Sequence, residues 1–275
     1  MSEATVARVT DSSAAAQNVL KASGVIWFIP ACIGQWIFAV YIAAQYVGPA
    51  FVNDFSGWND VMVNGLIEGD VVGNIALGIH LFIAFWITVG GTLQLMPAVR
   101  RRAPAFHRWN GRAYVVVAFV TSIAALYMAW TRDQIGEWPA LAAISIDAVL
   151  IMMFALLALN AARARRFDVH QRWATRLFLV VSGVWFMRVM YGFLGLISGG
   201  RPPGVTENLD GPTDVAVSFG CWLLPLAIYE IYVRAKQSGD AGFKLSAAAL
   251  VLVAAIATSL GVFAATMGMW LPRIS

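Results

Sequence analysis

"AVLIMMFALLAL", residues 148–159, is apolar on every side. A membrane-crossing strand alternates polar and apolar residues over about ten positions, so this run reads as a lipid-embedded helix rather than one stave of a barrel. Similar runs recur on both sides of it. A hydrocarbon core about 30 Å thick needs about 20 apolar helical residues, and hydropathy places seven spans at 24–47, 72–96, 112–131, 139–161, 174–197, 214–234 and 245–271. The composition agrees: 60% of the 275 residues are hydrophobic and 12% charged, with a mean hydropathy of +0.71, where a soluble domain is about a quarter charged. The expected fold is all-α, a polytopic membrane helix bundle of seven transmembrane helices. A cytoplasmic leader over 1–23 would precede a single integral membrane domain over 24–275. The first run lacks a small-residue cleavage site at its end, so it reads as a retained helix.

Charge sets the expected orientation. Arg8, Lys21, Arg100, Arg101, Arg102, Arg108, Arg112, Arg163, Arg165, Arg166, Arg172, Arg176, Arg234, Lys236 and Lys244 fall in segments on one side, against Arg132, Arg201 and Arg273 on the other. The positive-inside rule then puts the N-terminus in the cytoplasm and the C-terminus in the periplasm, with the chain in the bacterial inner membrane. The net charge of +4 and pI near 9.3 imply contact with anionic lipid at the cytoplasmic face, not with nucleic acid. Cys32 and Cys221 sit in separate spans toward opposite faces, which makes neither a disulfide framework nor a metal pair.

Two interior segments repeat one another. "RRRAPAFHRWNGRAY" at 100–114 and "RARRFDVHQRWATRLF" at 163–178 both run from arginines through His to Arg-Trp-x-x-Arg-x-aromatic. Each links two spans, so spans 2–3 and 4–5 read as a repeated helical hairpin forming a four-helix core. Spans 1, 6 and 7 would pack around it, with Ala248, Ala255, Ser259 and Gly261 permitting close approach. Trp109, Tyr114 and Trp173 belong at headgroup depth. His107, Arg108, Arg112, His170, Arg172 and Arg176 are inner-face candidates for an anion or cofactor, because arginine pairs four residues apart share a face beside a helix N-terminus. The anion can be lipid phosphate; alternatively His107 and His170 converge on a metal, a haem iron or a quinone.

These residues carry a family resemblance. His80, Gln94, Pro97, Arg100, Pro104, His107, Arg108, Gly111, Arg112, Tyr114, Asp168, His170, Arg172, Trp173, Arg176 and Arg188 follow in order a pattern that resembles the bacterial membrane family catalogued as domain of unknown function 2306, over about 72–197. Ala174, Phe186 and Met187 depart from its usual residues. The resemblance implies a polytopic bacterial membrane protein without naming an activity.

Ionisable groups inside spans are costly, at least about 2.5 kcal/mol for a central Asp or Arg, and so point to function by default. His80, Asp147 and Arg188 all fall roughly 12–15 Å below the outer boundary at 1.5 Å per residue. A structural Asp147–Arg188 ion pair is one expectation. The other is a ligand or cofactor pocket in the outer half of spans 2–5, with Ser122, Tyr127, Ser145 and Tyr191 as further lining and Gln35 and Gln94 as interhelical hydrogen-bond partners. Haem b or quinone suits such a pocket, with His80 as a candidate metal ligand beside His107 and His170. His80 lies too far from the inner face to share an iron with the other two.

Nucleotide-binding, zinc-protease and serine-hydrolase signatures are absent, and no lysine lies deep in span 7 for a retinal Schiff base. Three function classes stay open: a redox protein with a bound cofactor, a small-molecule or proton-coupled transporter, and a non-catalytic accessory or assembly subunit of a larger membrane complex. In the loop at 51–70, Phe51, Phe55, Trp58 and Met62 fall at helical spacing among Asp54, Asp60, Glu68 and Asp70, which predicts a short surface helix lidding the pocket. The 199–212 segment reads as turns.

Overall fold

The computed structural model describes residues 3–59, 65–131 and 137–274. Asp60, Met62 and Arg132 lie outside the described residues. Helix α1 runs from Glu3–Ile42 and continues through a widened π turn, Ala43–Val47, into a last turn, Gly48–Phe51. The leader and the first span therefore share one helix. Its inner part packs where Leu20 meets Ala235, Ala247 and Ala248, and buried Lys244 donates to Ser13 Oγ at 3.1 Å.

Prolines set the next boundaries. Helix α2 (Val71–Leu95) starts at Asp70, whose side chain accepts from Gly73 N at 2.8 Å. Met96 is extended before Pro97, and Ala103 leaves the helical region before Pro104. Proline crowds the residue ahead of it out of helical geometry. A short helix, Pro97–Arg102, is thereby set off from both α2 and α3 (Pro104–Thr131). Helix α4 (Glu137–Arg163) follows, then α5 (Phe167–Val181), α6 (Gly183–Ser198), α7 (Pro212–Gln237) and α8 (Ala241–Ala265), the last extended by a π turn and Leu271–Ile274.

Six of these helical stretches are each long and apolar enough to cross a membrane, and α5 with α6 makes a seventh across a 57° bend. The continuous fifth span expected at 174–197 is thus broken at Ser182. Ser182 Oγ donates back to Phe178 O at 2.7 Å, and Gly183 follows. Serine back-bonding and a Ser/Gly pair are recognised causes of a kink.

Small residues fix the closest crossings. A Cβ at Gly192 would stand 2.8 Å from Gly261 O, and one at Gly261 would strike Val189 O, so α6 and α8 touch through backbone. A Cβ at Gly34 would meet Val262 and Trp185, which seats α1 against both. Between α2 and α3, Gly91 faces Tyr114, and buried Asn110 donates to Gly90 O and Gln94 Oε1, both at 2.9 Å. Without a hydrophobic drive between helices in lipid, such packing and hydrogen bonding hold them together. Ala248, Ala255 and Gly261 are buried as expected, but Ser259 faces outward. Tyr114 is buried in the bundle.

The most extensive helix pairing is α1 with α8, followed by α4 with α5 and α8 with α6. Span 1 thus packs chiefly on span 7 and also meets α2. The outward faces carry Ile146, Val149, Met153 and Leu156 on α4 and Ile26, Ile29 and Ile33 on α1. One side of each helix meets protein and the other meets lipid, which is why the spans are apolar all round.

Candidate functional site

A cavity of about 240 Å³ opens where α1, α2, α3 and α4 meet the α5–α6 bend. Each helix contributes a polar group: Gln35, Tyr41 and Tyr46 from the α1 stretch, His80 from α2, Thr121 and Ser122 from α3, Asp147 from α4, Ser182 at the bend and Arg188 from α6. His80 Nδ1, Ser122 Oγ and Asp147 Oδ1 are buried without a hydrogen-bond partner. All three residues line this one space. Most buried polar atoms in folded proteins are paired, so such a cluster calls for an explanation.

Arg188 does not pair with Asp147. Among the described residues no acid lies within ion-pair distance of it; Nη1 donates to Val184 O at 3.2 Å, and the guanidinium sits over the Phe38 ring at 5.2 Å. The side chain is turned toward α1 and the phenols of Tyr41 and Tyr46. The ion-pair expectation is therefore corrected. Matching level along the helices brought the two groups to one cavity, but the rotation of α6 gives Arg188 to the aromatic wall instead. Asp147 approaches the bend backbone: a Cβ at Gly183 would be 3.1 Å from its Oδ2.

Gln35 donates to Ser182 Oγ at 2.9 Å, tying α1 to the bend. Gln94 donates to His107 O and accepts from Asn110. Of the four residues expected to add lining, Ser122 does so. Tyr127 is exposed, Ser145 accepts from Trp130 Nε1 at 3.2 Å, and Tyr191 donates to Asp214 at 2.7 Å. Fully buried Asp214 also accepts from Thr206 N and Gly211 N, so it closes the 199–211 loop onto α7. Tyr41, Tyr46, Thr121 and Ser182 were not anticipated as lining. A serine or threonine in an apolar span gives little signal, because it can bond back to its own helix, and a tyrosine there reads as an apolar ring.

Near Tyr46 the cavity is flanked by aromatics, and residues 51–58 do not form one surface helix. The backbone leaves helical geometry after Phe51, with Asn53 at φ 56°, and makes a separate turn at Ser56–Trp58. Helical spacing at 51, 55 and 58 therefore misled. Phe51 is exposed, whereas Trp58 is buried, with its ring 6.1 Å from Tyr46 and 5.1 Å from Phe55. Gln45 pins this segment by donating to Gly57 O at 2.9 Å.

At the arginine-rich end the two motif copies share a stack. Arg112 lies over Trp109 at 4.9 Å, and Arg176 lies over Trp173 at 4.5 Å. They differ in partners: Arg176 makes a two-pronged ion pair to Glu230 at 2.6 and 3.0 Å, and Arg172 meets Asp168 at 3.5 Å. Arg176 is thus occupied by α7 and is not free to take an anion. Arg108 and Arg112 are exposed, with no acid within ion-pair distance among the described residues. His170 Nδ1 bonds Ala158 O at 2.9 Å, and His107 Nδ1 is buried without a partner. The two imidazoles are near enough to interact electrostatically. Among the described residues no three His, Cys, Asp or Glu side chains cluster to hold a metal ion. Cys32 and Cys221 are both free thiols.

The family profile described as "Predicted membrane protein (DUF2306)" matches residues 77–233, a stretch that includes His80, Asp147 and Arg188. No curated protein and no solved structure matches the chain.

Proposed function

The chain belongs to the DUF2306 family of predicted membrane proteins, and from that premise we propose that its central cavity binds a small ligand through an oxygen-bearing polar head. One observation carries this reading: His80, Ser122 and Asp147, each with a buried polar atom that lacks a partner, line a single cavity together with Arg188. Burying a polar group unpaired costs about 1–3 kcal/mol, a cost that a bound head would offset at several positions at once. Arg188 and His80 would donate to its oxygens, and Asp147 would accept from a hydroxyl or exchange a proton with it.

Size narrows the class. Pockets for drug-sized ligands run to about 300–1,000 Å³, so 240 Å³ suits a single ring better than a haem macrocycle. A quinone ring, with two acceptor oxygens that become donors on reduction, matches the donors and acceptor around the cavity. The protein would then have a redox role, with His80 and Asp147 handling protons. The test is binding of a water-soluble, head-only benzoquinone to the purified protein in lipid nanodiscs. Binding weakened at least tenfold by Arg188→Gln, with the helical signal retained, supports the assignment; equal binding by both proteins overturns it.

A transport reading is favoured by the 57° bend beside the cavity, because carriers place substrate sites at broken helices near the bilayer midplane. In proteoliposomes, flux that Asp147→Asn leaves untouched would count against it. For either activity, the arginine-rich end would face the cytoplasm in an inner membrane, with Arg108 and Arg112 on anionic headgroups.

A further inference from the structure

Next to the polar cavity, a groove of about 530 Å³ lies between α2 and the chain at Tyr46–Trp58 and Leu66, lined by Phe51, Ile75, Gly78 and Phe82 among others. Tyr46 and Leu81 line both spaces. The groove is apolar and open, and Phe51, Ile75 and Phe82 are each more than half exposed on the bundle's outer surface. Ile75, Gly78 and Phe82 lie within the first twelve residues of α2, a helix long and apolar enough to cross a membrane. A polar chamber thus adjoins an apolar channel, with one tyrosine and one leucine between them.

We infer that the ligand is a lipid-soluble quinone that slides in laterally from the bilayer, its ring in the polar cavity and its apolar tail in this groove. The inference rests on the proposed binding function and names the ligand class and its route. The cavity holds one ring and no tail, so any tail must leave through a wall, and the shared Tyr46–Leu81 boundary is where an apolar path adjoins it. Chemistry points to a neutral head: Arg188 and His80 can donate to a carbonyl there, whereas a carboxylate head would meet Asp147 in the same cavity. Lipid chains are as apolar as the groove, so the groove contributes direction more than affinity.

Gly78 makes the idea testable, because a Cβ built there meets nothing within 4 Å. Gly78→Phe therefore starts from an unobstructed Cβ and puts a ring into the groove, and losing a mid-helix glycine does not weaken the helix. Two probes are compared in nanodiscs: the head-only benzoquinone and a decyl-tailed benzoquinone carrying a diazirine on its tail. The expected result is that Gly78→Phe weakens the tailed probe at least tenfold and leaves the head-only probe within twofold. Photolysis should label peptides containing Ile75 or Phe82, and excess tailed quinone should suppress the label. Equal sensitivity of both probes to Gly78→Phe, or labelling confined to other helices, overturns the route while leaving the cavity reading in place. Tailed binding that depends on Gly78 but ignores Arg188→Gln overturns the cavity reading instead. Oleate competing as strongly as the quinone overturns the choice of a neutral head.

Discussion

Replacing Asp147 with asparagine should make the protein more stable, which is the opposite of what a structural ion-pair partner would do. Asparagine keeps the shape of the side chain, so no cavity is created, and the change isolates charge. Asp147 Oδ1 has no hydrogen-bond partner, and no cation lies within ion-pair distance among the described residues. A central Asp in a membrane helix costs about 2.5–3.5 kcal/mol on the insertion scale. The side chain faces a cavity and not lipid, so part of that cost is already relieved, and about 1–2 kcal/mol should be recovered. For chains of this size about 1 kcal/mol corresponds to roughly 2–4 °C in Tm, which predicts a rise of roughly 2–8 °C. The assay is thermal unfolding in detergent, followed by intrinsic tryptophan fluorescence, beside head-only quinone binding on the same sample. Stability should rise while binding falls, the trade-off expected of a site residue. A drop in Tm of similar size would refute the reasoning, since it would mean that the folded protein holds the Asp147 charge with a partner.

Arg176→Gln should destabilise the bundle by about 2 kcal/mol, between a buried and an exposed pair, because Arg176 is 15% and Glu230 34% exposed. A double-mutant cycle with Glu230→Gln should return a coupling of about 1 kcal/mol in the same unfolding assay. Gly261→Leu should cost at least about 1–3 kcal/mol, since its Cβ would strike the Val189 carbonyl, whereas Gly268→Ala, with nothing within 4 Å, should leave Tm unchanged. Topology is checked in a Cys32- and Cys221-free background: a cysteine at Glu207 should react with an impermeant maleimide from the periplasm, and one at Gln237 only after the inner membrane is opened. The reverse pattern would invert the orientation.

The sequence by itself determined the helical class, the number of membrane-capable segments and the polar residues worth attention. The reason is physical: lipid admits backbone only as closed hydrogen-bonded structure, so runs such as 148–159 have one reading. Level along the helices was also legible, because a constant rise per residue fixes position along each axis, and His80, Asp147 and Arg188 line one cavity. Rotation about each helix axis was not legible. A span apolar on all sides carries no periodic stripe, so Arg188 could not be seen turning to Phe38 in preference to Asp147, nor Ser259 turning outward. The bend at Ser182–Gly183 and the seat of α1 likewise came from packing: Gln35 bonded to Ser182 and Gly34 seated against Val262 and Trp185. Contacts between residues more than a hundred positions apart depend on which faces of the helices meet. That choice, made by small residues and hydrogen bonds across helices, turned scattered polar residues into a cavity with a groove at its side.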